Sequence, residues 1–464
     1  MLFNSFIFLL VFLPITYCVF WILRSAQSRY VWLAMTGYVF YGWWDPRFCL
    51  LMAFSTAVSY LAGLGFLKYS SAKARRLCLL IPIIVDLTLL GFFKYANFGL
   101  HSASSIVSLL GWNIQAPNFN IILPVGISFY TFHTITYIVD SYRGTIRPTR
   151  NIFEFAAYVS LFSQLVAGPI VRFRQIEQDL ESLGSADRRR WLGLGISFFV
   201  YGLIEKVVIA DHLAVFVDGS LAQYHALSTA GAWMSMLGYT FQLYFDFCGY
   251  SDMAVGLGYM FGLRIPQNFN SPYKALDPSD LWRRWHISLS SCLRDYLYIP
   301  MGGSRHGSFN TYRNMMITML LGGLWHGAGW TFVIWGAYHG LLLGLHRSLG
   351  ERWNRLSAPI RQAATFLLVL IGWVFFRSVD FTMAAALLSK MFFPASGIIG
   401  ENIGVSLGFI IVAGGWAIMG PNAFELFHEF NWKPRYAYAL AIGIGICIAV
   451  LAAGGNSPFL YFQF

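Results

Sequence analysis

The chain has 464 residues, of which 57% are apolar or aromatic and 11% are charged. Soluble domains carry about 25% charged residues, so a water-exposed globular fold of this size lacks the polar side chains to cover its surface. The formal charge of +11 fits Lys and Arg gathered on cytoplasmic loops better than a nucleic-acid surface, and no nucleic-acid partner is expected.

Apolar runs recur along the whole chain, and a spanning helix needs roughly 17–25 such residues. Residues 2–23 form the first run. It has no basic leader, Pro14 interrupts it and no small-residue cleavage site follows, so it reads as a retained span. Basic clusters at 24–29, 68–76, 143–150, 172–190, 264–313, 347–361 and 433–435 are assigned to the cytoplasm, which sets Met1 outside. Residues 30–66 leave and return through a turn at Gly42, Trp43, Trp44, Asp45 and Pro46, where Gly and Pro break a helix. Residues 77–93 go out, 97–120 make an outer loop free of Asp, Glu, Lys and Arg, and 121–139 come back. Residues 191–216 go out and 230–262 return, a run longer than one bilayer requires. Residues 366–376, 405–419 and 437–453 then alternate, leaving the C-terminus extracytoplasmic.

About ten crossings result on the span-length rule. Two further runs, 152–171 and 315–346, have basic flanks on both sides, and glycines interrupt both (Gly168 before Pro169; Gly327 and Gly329 around Ala328). They read as broken or re-entrant helices. Such backbone is tolerated at depth only where protein buries it or a cavity adjoins it. No repeat or soluble boundary interrupts the chain, so 1–464 reads as one integral membrane domain. Sixteen Trp and 25 Tyr suit the two membrane–water interfaces. Cysteines at 18, 49, 78, 248, 292 and 447 stand singly, so neither disulfide nor metal site is expected.

If residues 315–346 dip in and return, about 11 helical residues precede the turn and set His326 roughly 16 Å deep. That is near the middle of a hydrocarbon core about 30 Å thick. An ionisable residue there is a functional candidate, and a neutral imidazole is suited to act as a base. The plainer alternative is a histidine bonded to a backbone carbonyl beside a broken turn. His339 reads as structural support. The loop DPSDLWRRWHISLS puts Trp282, Trp285 and Leu289 on one face of an expected helix, with Arg283 and Arg284 elsewhere. An interfacial helix competes with a site in which the Arg pair holds a phosphate and His286 lies near the chemistry. Glu205 with Lys206 reads as an interfacial pair without a catalytic role. Asp246 and Asp252 either line a polar passage, cap helices or bind the Arg-rich loop. The tip SPFLYFQF, residues 457–464, inserts into protein or partner or serves as an aromatic anchor; its Tyr461 carries a phenol able to accept an acyl group.

Three segments, WRRWHISLSSCLRDYLYIPMGGSR (282–305), LGGLWHGAGWTFVIWGAYHG (321–340) and LPVGISFYTFHTITYIVDSYRG (123–144), together resemble the membrane-bound O-acyltransferase superfamily, most closely its bacterial alginate-type polysaccharide O-acetyltransferase branch. The resemblance implies an all-α ring of about 10–13 transmembrane and re-entrant helices around a central tunnel, on the span-length rule. It implies His326 as the catalytic residue, His286 on the cytoplasmic side of the tunnel, and Tyr461 as an acyl relay. Arg283, Arg284, Trp285 and Arg294 form the expected donor-binding set, although Cys292 stands where many relatives carry an aromatic residue. No permanent cofactor is implied. The donor would be acetyl-CoA or an acyl-carrier thioester, and the partner an extracytoplasmic Ser-His-Asp (SGNH-type) acetyltransferase. The location implied is the bacterial cytoplasmic (inner) membrane, with lipid around the helices. A proton-coupled transporter or flippase of envelope precursors is the competing function, since buried His and Asp would suit it.

Overall fold

The computed structural model describes residues 1–112, 117–166, 168–185, 187–427, 433–454 and 459–460. Its architecture is helical; among the described residues, β pairing is confined to an isolated bridge between Leu227 and Ile398. The chain divides into two compact units, residues 1–192 with 257–266, and residues 193–256 with 267–464.

The first unit holds α1 (Leu13–Ile22), α2 (Ala26–Gly42), α3 (Arg47–Lys68), α4 (Ala72–Leu90), α5 (Ala96–Leu109), α6 (Ile127–Arg143), α7 (Ile152–Val159) and α8 (Phe173–Glu181). Ser25 and Ser71 cap α2 and α4 by accepting the N–H of Ser28 and Ala74, which fixes where each helix begins. The turn expected at 42–46 separates α2 from α3. Helices α2 and α7 meet at backbone distance, since a Cβ on Gly37 would lie 1.9 Å from the Ser160 carbonyl oxygen. Asp86 of α4 accepts hydrogen bonds from Ser55 of α3 and Thr134 of α6, each 2.6 Å. Interhelical bonds of this kind contribute about 0.6–1.7 kcal/mol in a membrane.

The outer loop expected at 97–120 is corrected in part. Helix continues through α5 to Leu109, joined to α4 by a π-turn at Gly91–Tyr95. A stretch without charges describes an apolar helix as well as it describes a loop, and the first proline after Pro82 is Pro117. The run 152–171 is broken as expected: α7 ends at Val159, and helix resumes only at Phe173.

The second unit is built mainly from α9 (Arg188–Ile204), α10 (Asp211–Ala222), α11 (Thr229–Met260), α12 (Pro278–Arg284), α13 (Ile287–Leu293), α14 (Gly307–His326) and α15 (Trp330–Leu349), followed by α16 (Glu351–Asn354), α17 (Ala358–Arg377), α18 (Phe381–Phe392), α19 (Ile403–Met419), α20 (Ala423–Phe427) and α21 (Pro434–Ala452). Helix α11 has 32 residues, about 48 Å at 1.5 Å per residue, well beyond one hydrocarbon core. Glu205 and Lys206 are not an interfacial pair. They lie in a π-turn between α9 and α10, 3% and 2% exposed, and Lys206 Nζ sits 2.6 Å from a carboxylate oxygen of both Asp211 and Asp246.

Among the described residues, five stretches are long and apolar enough to cross a membrane: Arg47–Lys68, Ala72–Leu109, Arg188–Ala222, Ala358–Arg377 and Arg435–Ala452. Other apolar runs form shorter helices (Phe8–Ile22, Phe381–Phe392, Ile403–Met419) or helices with buried polar faces, such as α6. In Ala72–Leu109 and Arg435–Ala452 only 17% of the apolar window is buried within the protein. Outward side chains such as Leu80, Ile81, Ile84 and Leu87 would make a patch that water does not tolerate, and lipid is the solvent that suits it. The protein is an all-α polytopic membrane protein.

Candidate active site

Helices α14 and α15 form a tight antiparallel hairpin, and the reason lies in its small residues. A Cβ on Gly323 would lie 2.2 Å from the Phe332 carbonyl oxygen, and one on Gly336 would lie 2.3 Å from that of Met319. Gly336 and Gly340 are one helical turn apart, the spacing that lets membrane helices approach closely. The turn itself is Gly327, Ala328 and Gly329, and a Cβ on Gly327 would lie 2.1 Å from the Phe332 ring. His326 is the last residue of α14 and 4% exposed. The expected hairpin with His326 at its turn is what forms.

Around His326 stand Trp325, Trp335 and Phe376, with ring centres 5.0, 5.1 and 5.2 Å away. A cavity of about 100 Å³ opens beside it, lined among others by Trp282, Ser290, Thr318 and Trp335. Buried indole nitrogens of Trp282 and Trp335 have no hydrogen-bond partner among the described residues. His339 packs against Trp282, Trp335 and Trp373 and is a core residue of the hairpin.

His286 is fully buried, and its ring centre is 6.3 Å from that of His326. The helix expected through 282–289 is interrupted here: α12 stops at Arg284, His286 takes a left-handed backbone (φ 43°) and α13 starts at Ile287. Trp282 and Leu289 therefore belong to different helices. The break is held by Asn268. Its main-chain oxygen accepts the Ile287 N–H (2.9 Å), and its side-chain Oδ1 accepts the Ser288 N–H (3.2 Å) and Ser288 hydroxyl (2.9 Å). Because a backbone N–H can only donate, the atom facing it is the amide oxygen. His286 Nδ1, 3.1 Å from that oxygen, is then the donor, which leaves the lone pair on Nε2. That nitrogen is buried with no partner among the described residues. Burial pushes the imidazole, which lies in the segment between α11 and α14, down to about 3, so it is neutral at physiological pH.

A family model for membrane-bound O-acyltransferases matches residues 141–379. The chain belongs to that family. It is 46% identical over 400 residues to a probable alginate O-acetylase of Pseudomonas putida, covering 84% of this chain and 80% of the relative. It is 36% identical over 440 residues to a peptidoglycan O-acetyltransferase of Helicobacter pylori, covering 88% and 81% of the two chains. A teichoic acid D-alanyltransferase of Bacillus subtilis is 28% identical over 276 residues, 56% of this chain and 68% of the relative. The protein is accordingly a membrane acyltransferase.

The expected donor-binding residues of this membrane-bound O-acyltransferase differ in exposure. The guanidinium groups of Arg283 and Arg294 are mainly exposed, beside Asp280 (3.5 Å) and Asp295 (2.8 Å) respectively. Arg284 is partly buried, donating to Asp280 (3.0 Å) and to the Asn270 carbonyl (3.3 Å). Trp285 is buried against Tyr244, Phe269, Tyr273 and Trp373. Tyr461 lies outside the described residues. Residues that sequence reasoning missed are Asn268, Ser288 and Trp335. Trp335 was within reach, one helical turn before His339 on the returning arm, whereas nothing local singles out Asn268 in QNFNSPY.

Proposed function

We propose that this acyltransferase is an O-acetyltransferase of the bacterial cytoplasmic membrane that serves an exported polysaccharide or other cell-envelope glycan. The observation that carries the reading is a pair of buried imidazoles, 6.3 Å between ring centres, of which His326 lines a cavity together with two indoles whose N–H groups have no partner among the described residues. That is the equipment for acyl transfer to a hydroxyl: a base, a second neutral imidazole and donors for a developing oxyanion. The donor is a cytoplasmic thioester, acetyl-CoA or an acyl carrier, and its phosphates meet Arg283, Arg284 and Arg294 beside Trp285. His326 takes the proton of the accepting hydroxyl as its oxygen attacks the thioester carbonyl. The C–O bond forms, the C–S bond breaks, and the thiolate leaves with that proton. Trp282 and Trp335 donate to the oxyanion. His286 stays neutral, with Nε2 as a hydrogen-bond acceptor.

Tyr461 supplies the first accepting hydroxyl and hands the acetyl group to an extracytoplasmic SGNH-type partner, which places it on sugar hydroxyls. The names of the relatives support alginate and peptidoglycan as the first acceptors to test. The test is the intact mass of purified protein after incubation with acetyl-CoA. An acetyl adduct on wild type, absent from His326→Ala and Tyr461→Phe, is the expected result. An adduct retained by His326→Ala overturns the base assignment. Substrate movement across vesicles without any covalent acetyl would favour a proton-coupled transporter or flippase instead.

A further inference from the structure

Lys206 stands between two buried carboxylates. Lys206 Nζ lies 2.6 Å from Asp211 and 2.6 Å from Asp246, and all three side chains are at most 3% exposed. Two carboxylates share one ammonium. A buried carboxylate needs hydrogen-bond donors for the lone pairs that its ion pair does not use. Asp246 obtains one from far along the chain: the backbone N–H of Leu460 donates to its Oδ2 at 2.9 Å. The same bond satisfies the tail, because a buried N–H needs an acceptor, and Leu460 is 2% exposed.

Neighbouring side chains complete the seat. Phe459, 1% exposed, stacks on Tyr250 with ring centres 4.6 Å apart and lies 6.2 Å from Phe247. Phe247 in turn stands edge-on to His286 at 4.8 Å. Asp246 and Tyr250 are one turn apart on α11, so one face of that helix holds both the hydrogen bond and the stack. The next residue in the chain after Leu460 is Tyr461.

We infer that Asp246, ion-paired with Lys206, is a positioning residue: it latches the backbone of Leu460 and, with Tyr250 and Phe247, seats Phe459 and Leu460, with the Phe247 ring between Phe459 and His286. Its part in transfer rests on the reading of Tyr461 as acyl relay, whereas the seating itself does not. A hydrogen bond to a charged group shifts an equilibrium by on the order of ten- to a hundredfold, so loss of the Leu460 N–H unseats the tip by that factor.

The experiment uses the full chain with Gln463→Cys as a reporter, labelled with a small thiol reagent and corrected for the native cysteines. Leu460→Pro deletes the N–H together with the side chain, Leu460→Ala deletes the buried side chain but keeps the N–H, and Asp246→Asn removes the carboxylate charge. The expected result is labelling at least tenfold faster in Leu460→Pro than in Leu460→Ala, and faster in Asp246→Asn than in the parent. Leu460→Pro alters only the tail, so the membrane helices are not put at risk. Equal labelling of Leu460→Ala and Leu460→Pro overturns the latch, whatever happens to activity. Fast labelling of Leu460→Pro with acetyl transfer intact leaves the latch standing and overturns the relay reading of Tyr461.

Discussion

Replacing Asn268 by Asp isolates what Asn268 does for His286. The change is nearly isosteric, and a carboxylate can still accept from Ser288 N–H, from the Ser288 hydroxyl and from His286 Nδ1, which lie 3.2, 2.9 and 3.1 Å from Oδ1. Only the amide donation to Ser251 Oγ (3.1 Å) is lost. Accepting several hydrogen bonds favours the ionised carboxylate, so a fixed negative charge replaces a neutral oxygen beside the ring. In the wild type, burial holds His286 at about 3, and it stays neutral throughout the range in which activity is measured. An adjacent carboxylate favours the imidazolium and lifts the value by about 1–3 pH units, to roughly 4–6. The sign follows directly. The neutral ring, present above the raised value, is lost as pH falls through it. With a value near 5, about half of His286 is protonated at pH 5 and about nine-tenths at pH 4. The ratio of Asn268→Asp to wild-type acetyl transfer therefore falls as pH drops from about 6 to 4, over and above any loss that the base His326 causes in both proteins, and approaches one at pH 8. Single-turnover acetylation, followed by intact mass across that range, measures it. Profiles that superimpose would refute the claim that a neutral His286 is required.

Trp335→Phe keeps a buried ring against Trp373 and removes one N–H; loss of an oxyanion donor costs about 10²–10³ in kcat, so kcat falls at least about tenfold while KM holds. Steady-state kinetics decide it, and an unchanged kcat returns Trp335 to packing alone. Arg283→Ala and Arg294→Ala remove the two exposed arginines proposed to meet the donor phosphates and should raise KM for acetyl-CoA about three- to tenfold with kcat unchanged; a fall in kcat alone would contradict a donor-binding role. Gly327→Ala drives a methyl to within 2.1 Å of the Phe332 ring, an overpacking cost of about 1–3 kcal/mol, visible as a lower Tm in detergent and reduced transfer.

The hairpin was legible because its cues are local. Two basic flanks exclude a single crossing, glycines mark the turn, and an ionisable residue sits between them. The outer loop at 97–120 failed for a related reason, since the absence of charge fits loop and apolar helix equally. Trp282, Trp285 and Leu289 fit one helical face by spacing, yet the left-handed backbone of His286 breaks that helix. What holds the break is Asn268, 18 residues upstream, and no periodicity carries a contact over that distance. Lys206 is likewise ambiguous along the chain: adjacency to Glu205 suggests a local pair, whereas its partners are Asp211 on the next helix and Asp246 on α11. Side chains that satisfy one another across a fold are recognised only when the fold is present.

Two buried histidines in one cluster could in principle exchange roles, and the helix ends argue against it. His326 closes α14, where outward-facing carbonyls carry partial negative charge; that setting suits a side chain that takes up a proton during the reaction. His286 stands at the opposite kind of end, as the N-cap of α13, where free N–H groups carry partial positive charge and oppose an imidazolium. The two helix ends thus favour the proposed division, with proton acceptance at His326 and neutral hydrogen bonding at His286. A chemical rescue separates these tasks. Imidazole supplied in solution should occupy the space left beside the cavity that Ser290, Thr318 and Gly322 line together with leucines, Met319 and two indoles, and restore part of the acetyl transfer lost in His326→Gly, with a rate that rises with the fraction of unprotonated imidazole. The same addition should not rescue His286→Gly, because a free imidazole lacks the Asn268 bond in a fixed orientation and the broken helix there loses its side chain. Rescue of His286→Gly alone would reverse the assignment and make His286 the base.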